Sequence, residues 1–244
     1  MNRLFSLAVG VAAAVALVSP ASAAIAPKME GYRVEVEFSP AVARKLDQIN
    51  RVERTLEERF RKNRTDRVVP RSAGVLRFAR GQTEGTVWAT ERLIPDLEDF
   101  TVSNLVKALA ADNINRANPG FQGTVRLRID HMKIANHNVA FLSGPSSYVI
   151  GTVSLVAPDG KVLRTEKVSA NLVVDHTVDT SYKGPKYAFM ETQDTNRVGP
   201  ALAYFVEKAL ERLWPDRKDR IHGPVIVRVS GPNEQIIQGN RIRQ

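Results

Sequence analysis

Apolar and polar residues alternate through residues 31–38: Val34, Val36 and Phe38 fall on one side, Arg33, Glu35 and Glu37 on the other. A period of two predicts a half-buried strand. Ser39 and Pro40 follow, one suited to cap a helix and the other to its first turn. Val42, Leu46, Ile49, Leu56 and Phe60 then recur at helical spacing up to Lys62. They predict a surface helix with a single narrow apolar stripe. Its remaining faces are charged, and the pair Glu57/Glu58 reads as part of that solvated run.

Pro70, Gly74, Gly81, Gly85 and Pro95 punctuate the next stretch. It reads as two short strands, near Val75–Phe78 and Thr86–Leu93, set in loops. A second helix is expected from Leu97 or Thr101 to Arg116. Leu105, Val106, Leu109 and Ile114 form its inner face, and Asn118-Pro119-Gly120 stops it. Thr124–Asp130 alternates strictly. Tyr148–Val156 and Val162–Val174 flank the turn Pro158-Asp159-Gly160-Lys161. Asp-Gly between alternating runs is a hairpin signal, so the middle of the chain reads as an antiparallel meander of three strands. Residues 175–195 read as a long polar loop. Leu202, Phe205, Val206, Ala209, Leu210 and Leu213 give a last helix, Asn196–Trp214, a wide apolar face. Val225, Val227 and Val229 suggest an edge strand, with disorder expected beyond Ser230. Together these elements predict an α+β fold: an antiparallel sheet of four to six strands, two main helices on one face, and a charged N-terminal helix.

The opening residues change the picture of where this fold works. Arg3 precedes an uncharged run from Leu4 to Val18, and Ala21-Ser22-Ala23 supplies small residues in an A-x-A pattern. This is the form of a cleaved secretory signal peptide, residues 1–23. About 20 apolar residues are needed to span a bilayer, and this run is shorter. The expected organisation is therefore a leader, one domain over 24–222, and a basic tail over 223–244. The expected location is periplasmic or secreted, with no transmembrane segment in the mature chain.

The 244 residues carry a net charge of +9, which falls to +8 without the leader because Arg3 is its only charge. An exported basic protein suits anionic lipid or glycan surfaces, and its compartment counts against nucleic acid as a partner. No cysteine is present. That excludes disulfides, thiolate metal sites, a cysteine nucleophile and a lipid-modified N-terminal cysteine.

Catalytic signatures are sparse. Neither a G-x-S-x-G elbow nor a glycine-rich phosphate loop occurs. His131 and His137 are not at a recognised ligand spacing, and Ser143-Gly144-Pro145-Ser146-Ser147 reads as a loop. Neither enzyme nor metal nor cofactor is expected. Asp175 and His176, with Asp179, form the one local cluster on which a hydrolase reading could rest, given a Ser or carboxylate from elsewhere. Two surfaces are the contact candidates. The first is the basic cluster Arg59, Arg61, Lys62, Arg64 and Arg67, whose cations also suit the negative end of the first helix. The second is the aromatic and basic loop Tyr182, Lys183, Lys186, Tyr187 and Phe189.

Residues 97–214 order a helix, a V-R-L-R-I-D strand, a second strand ending V-S-L-V-A-P-D-G-K-V-L, and a closing amphipathic helix. Val153, Leu155, Asp159, Gly160, Val162 and Leu163 carry the turn pattern. This arrangement resembles small uncharacterised bacterial envelope proteins. More distantly it is similar to the auxiliary lipoproteins of ABC transport and of lipopolysaccharide assembly. Those lipoproteins carry a lipid-attachment cysteine, which this chain lacks. The resemblance implies a binding or assembly role in the envelope and transfers no catalytic residue. The expected function is thus an exported soluble binding or accessory protein. The alternatives are the envelope-acting hydrolase and a structural subunit of an envelope complex.

Overall fold

Two long helices lie across one face of a four-stranded sheet in the computed structural model, which describes residues 25–64, 73–134, 147–171, 176–177, 182–190 and 197–227. The strands are β1 (Tyr32–Phe38), β2 (Gly123–Lys133), β3 (Tyr148–Val156) and β4 (Val162–Asn171), in the spatial order β1-β2-β3-β4. The fold is α+β, and β2, β3 and β4 form the expected antiparallel meander. At the edge β1 departs from an all-antiparallel sheet. It pairs with β2 in parallel, from Tyr32 opposite Gly123 to Phe38 opposite Ile129. Parallel neighbours need a crossover, and α1 (Pro40–Asn63), α2 (Ala73–Thr83), α3 (Ala89–Leu93) and α4 (Val102–Ala117) occupy it.

Ser39 makes the strand-to-helix corner. Its backbone N–H donates to the Ile129 carbonyl at 2.9 Å. Its hydroxyl donates to the Asp130 carbonyl at 2.8 Å and accepts from the Val42 N–H at 3.4 Å. One residue thus fastens the end of β1 to β2 and caps α1.

α4 and α5 (Val198–Leu213) cover the sheet. Leu105, Val106, Leu109 and Ile114 of α4 meet Leu202, Phe205, Val206 and Leu210 of α5 over Val125, Leu127, Ile129, Val149 and Val153. All are buried, as alternation in the strands and helical spacing in the helices require. Ala108, Ala110 and Ala111 add small buried side chains that let α4 sit close. Gly151 of β3 lies opposite Ile129, and a Cβ there would fall 1.9 Å from the Arg128 carbonyl oxygen. Strand contact at that point requires glycine.

The region between α1 and α4 corrects the expected pair of strands. Ala73–Thr83 is helical, because Leu76, Arg77, Ala79, Arg80 and Gln82 favour a helix strongly enough to carry Gly74 and Gly81. Ala89–Leu93 is a single helical turn, and only Trp88 keeps a strand-like bridge, to Ala188.

The expected long loop is also corrected in part. Tyr187–Met190 forms β6, and His176–Thr177 forms the two-residue β5. Both pair in parallel with β7 (Pro224–Val227), giving a small sheet ordered β5-β7-β6. β7 is therefore the centre of a sheet and not an edge. The leader, Val229 and the tail beyond Ser230 lie outside the described residues. Phe60 and Trp88, edge-to-face at 5.1 Å, pack with Ala188, Val225 and Val227 under this sheet. No helix among the described residues is long and apolar enough to cross a membrane.

Candidate functional site

The two surfaces singled out in the sequence are largely drawn into the body of the fold. Arg61 donates to Glu57 Oε1 at 2.9 Å and to the carbonyls of Pro95 and Ile94 at 2.6 and 2.7 Å. Arg64 pairs with Glu91 and lies over the Phe60 ring at 5.7 Å. Arg59 is half-buried, Lys62 is exposed, and Arg67 falls outside the described residues. In the second surface Tyr187 and Phe189 are buried, because they belong to β6. Tyr182 is half-buried, and its hydroxyl accepts from the Lys186 N–H at 3.3 Å. Lys183 and Lys186 are exposed. Asp175 and the side chain of His176 lie outside what is described, as does His137. His131 is exposed on β2. Among the described residues no group of three or more potential metal ligands occurs.

The Glu57/Glu58 pair is split, against the expectation of a solvated run. Glu58 is exposed, but Glu57 is fully buried and Glu53, one turn earlier, is nearly so. Arg197 joins them, donating from Nε to Glu53 at 3.2 Å and from Nη2 to Glu57 at 2.8 Å. Glu53 also accepts from the Val198 N–H at 3.3 Å, at the positive end of α5. Burial raises the Glu53 carboxyl despite Arg197. Burial pushes Glu57 the same way, but Arg197, Arg61 and the Thr90 hydroxyl outweigh it and hold Glu57 below the usual range. Two arginines face these two carboxyl groups and satisfy them from within the fold. It is an internal clamp between α1 and α5.

A second polar cluster carries excess positive charge. Arg92 of α3 and Arg116 of α4 approach the Tyr187 ring, with guanidinium carbons 5.2 and 5.7 Å from its centroid. Asp112, one turn before Arg116, is the carboxylate between them. It pairs with Arg116 and accepts from the Tyr187 hydroxyl at 2.8 Å. That hydroxyl accepts from Arg116 Nη2 at 2.9 Å. Burial and the Asp112 charge push the Tyr187 phenol far above its ordinary value, so it stays protonated. Asn113 closes the cluster: its Oδ1 accepts from Arg116 and from the His222 N–H at 2.8 Å each.

Arg92 is bound far less completely. Its Nη2 stands 3.8 Å from Asp112, beyond hydrogen-bond distance. Among the described residues, buried Nε and Nη2 of Arg92, Nε of Arg116 and Nδ1 of His222 have no hydrogen-bond partner. The Pro185 carbonyl lies beside the His222 imidazole. Burial and the neighbouring Arg116 and Arg92 hold His222 below the usual histidine value, hence neutral at pH 7, although Asp112 and the Pro185 bond oppose this. Unpaired donors are costly to bury. Here they belong to Arg92 and Arg116, the two cations that face Asp112.

The sequence reading noted Tyr187, and Arg116 only as the end of a helix, but not Arg92, Asp112 or His222. The four-residue spacing of Asp112 and Arg116 is a local signal. The approach of Arg92 depends on β6 packing against α3, and that of His222 on its backbone bond to Asn113, and no local pattern announces either. Comparison of the chain with family models, curated proteins and solved structures finds no match, so this geometry is the ground for a functional reading.

Proposed function

We propose that the protein is an exported binding or accessory protein of the bacterial envelope, and that it engages an anionic group at the Arg92–Arg116–His222 cluster. One observation carries the reading: two guanidinium groups share a single carboxylate and retain unpartnered buried N–H donors beside Tyr187. An incoming anion satisfies those donors and balances the excess charge. The leader-like opening and the net charge of +9 support the same reading, since both direct a cationic protein toward acidic material outside the cytoplasm. Lys183 and Lys186, both exposed, add positive charge on the segment that leads into β6 and Tyr187. The resemblance to envelope accessory proteins agrees with this role.

Co-sedimentation with isolated envelopes tests it. At low salt the protein should pellet with the envelopes, and Arg92→Glu should reduce the bound fraction several-fold. Equal sedimentation of the two proteins would remove this site from the function. N-terminal sequencing of the mature protein should begin after Ala23. An unprocessed chain found in the cytosol would overturn export.

A further inference from the structure

Among the described residues β4 pairs on one side only, with β3, so it ends the main sheet. An edge strand offers its outer row of N–H and C=O groups to another strand, and folds commonly blunt such an edge with proline or charge. Val162–Asn171 contains no proline. Its charges, Arg164, Glu166 and Lys167, decide instead which strand fits. We propose that this strand is β4 of a second copy of the chain. The two lie antiparallel about a two-fold axis at Thr165, and Arg164 of each copy stands opposite Glu166 of the other.

Charge selects that register. Residues directly opposite in antiparallel strands share a face, where unlike charges attract and like charges repel. An axis at Glu166 would oppose two carboxylates, and an axis at Lys167 two ammonium groups. An axis at Val168 would centre the pairing on the half of β4 whose Val168 and Ala170 are already buried in the core of their own copy. The axis at Thr165 brings unlike charges together twice. Arg164 and Glu166 pair within one strand, Nε to Oε1 at 2.9 Å, and both side chains stay open to solvent. Across the axis the two pairs close into a ring of four alternating charges. On the other face Thr165, hydrogen-bonded to Ser154 at 2.8 Å, meets its own counterpart.

The same register covers exposed apolar surface. Val162 and Leu163 are 52% and 58% exposed. Leu163 has no opposite residue in β3, because the register shifts there. In the pair Val162 comes opposite Val168 of the second copy, and Leu163 opposite the aliphatic stem of its Lys167. The joined sheet has eight strands. The interface uses none of Arg92, Arg116 and His222, and a pair carries that cluster twice, which multiplies its hold on any surface that binds it.

Sedimentation velocity of the mature protein over a range of micromolar concentrations tests the proposal. A dimer is expected. Arg164→Glu and Glu166→Arg should each raise its dissociation constant at least tenfold. Mixed in equal amounts, the two variants should recover a heterodimer, because one then brings two acids to the junction and the other two bases. The chain has no cysteine, so Thr165→Cys supplies a single thiol. Mild oxidation should link it to its counterpart, since opposite Cα atoms about 4.5–5.5 Å apart suit a disulfide. Lys167→Cys, displaced about 13 Å along the strands from its counterpart, should stay unlinked. The wild-type mass and the two cysteine variants remain decisive should a charge reversal fail to fold. A monomer at every concentration would overturn the proposal. So would a dimer indifferent to both charge reversals, reversals that do not pair when mixed, or linkage through Lys167→Cys in preference to Thr165→Cys.

Discussion

Arg197 Nη2 donates to Glu57 Oε2 at 2.8 Å, joining the residue that opens α5 to one in the last turns of α1, with both side chains withdrawn from solvent. The same guanidinium reaches Glu53 through Nε. Removing it strands two carboxylates in a low-dielectric interior. Arg197→Met should therefore cost about 3–5 kcal/mol, the range for breaking a buried ion pair from one side. Urea unfolding at pH 7 measures this. A loss below 1 kcal/mol would show that the clamp is solvated.

The two carboxylates should respond to acid in opposite senses. Glu57 is held below the ordinary value of 4.5, so its stabilisation is complete above that pH and lost as the pH falls through its folded value. Glu53 lies above 4.5, so the folded state binds its proton more readily than the unfolded chain, and its contribution is lost as pH rises through the folded value. The deficit of Glu57→Gln relative to wild type should shrink between pH 7 and pH 4. That of Glu53→Gln should grow. Urea melts at the two pH values compare them, and deficits that move together would refute the assignment.

Gly151→Ala should destabilise the sheet by about 1–3 kcal/mol, the usual cost of forcing extra volume into a packed interior. The contact it meets is backbone, the Arg128 carbonyl oxygen at 1.9 Å, which no side-chain rotation can clear. Thermal or urea denaturation reports the change. By contrast, a Cβ on Gly160 meets nothing within 4 Å, although its φ of +87° still disfavours alanine there.

Tyr187→Phe removes the hydroxyl that donates to Asp112 and accepts from Arg116, while retaining the ring under both guanidiniums. A loss of about 1–3 kcal/mol is expected from these charged partners. Equilibrium unfolding is the measurement. A variant as stable as wild type would mean that Asp112 and Arg116 satisfy each other without the phenol.

Much of the main sheet was legible because its signals are local. Ser39-Pro40 marks the start of α1, Asp159-Gly160 marks the β3–β4 turn, and alternation from Val125 to Ile129 marks the inner face of β2. The parallel pairing of β1 was not, since nothing between Tyr32 and Phe38 specifies the direction of a distant neighbour. Glu57 was misread, and Glu53 passed over, for a different reason. They continue the stripe of Ile49, Leu56 and Phe60, but their charge suggests solvent until Arg197 is brought beside them. The candidate site was divided in the same way. Tyr187 stood out as an aromatic in a polar stretch, whereas Arg92, in an expected strand, and Arg116, at a helix end, look like ordinary surface cations until the Tyr187 ring lies against both.

The parallel edge has a consequence for biogenesis. β1 is made early, yet the strand it pairs with among the described residues begins at Gly123, after four helices have been synthesised. Closing so long a loop is entropically slow, while β2, β3 and β4 are near neighbours along the chain and can zip up first. The N-terminal ribbon should therefore dock last, as a latch on a preassembled three-strand scaffold. A nascent chain arrested before Gly123 would leave Val34, Val36 and Phe38 without that scaffold, an adhesive segment best shielded by a chaperone until the remainder emerges.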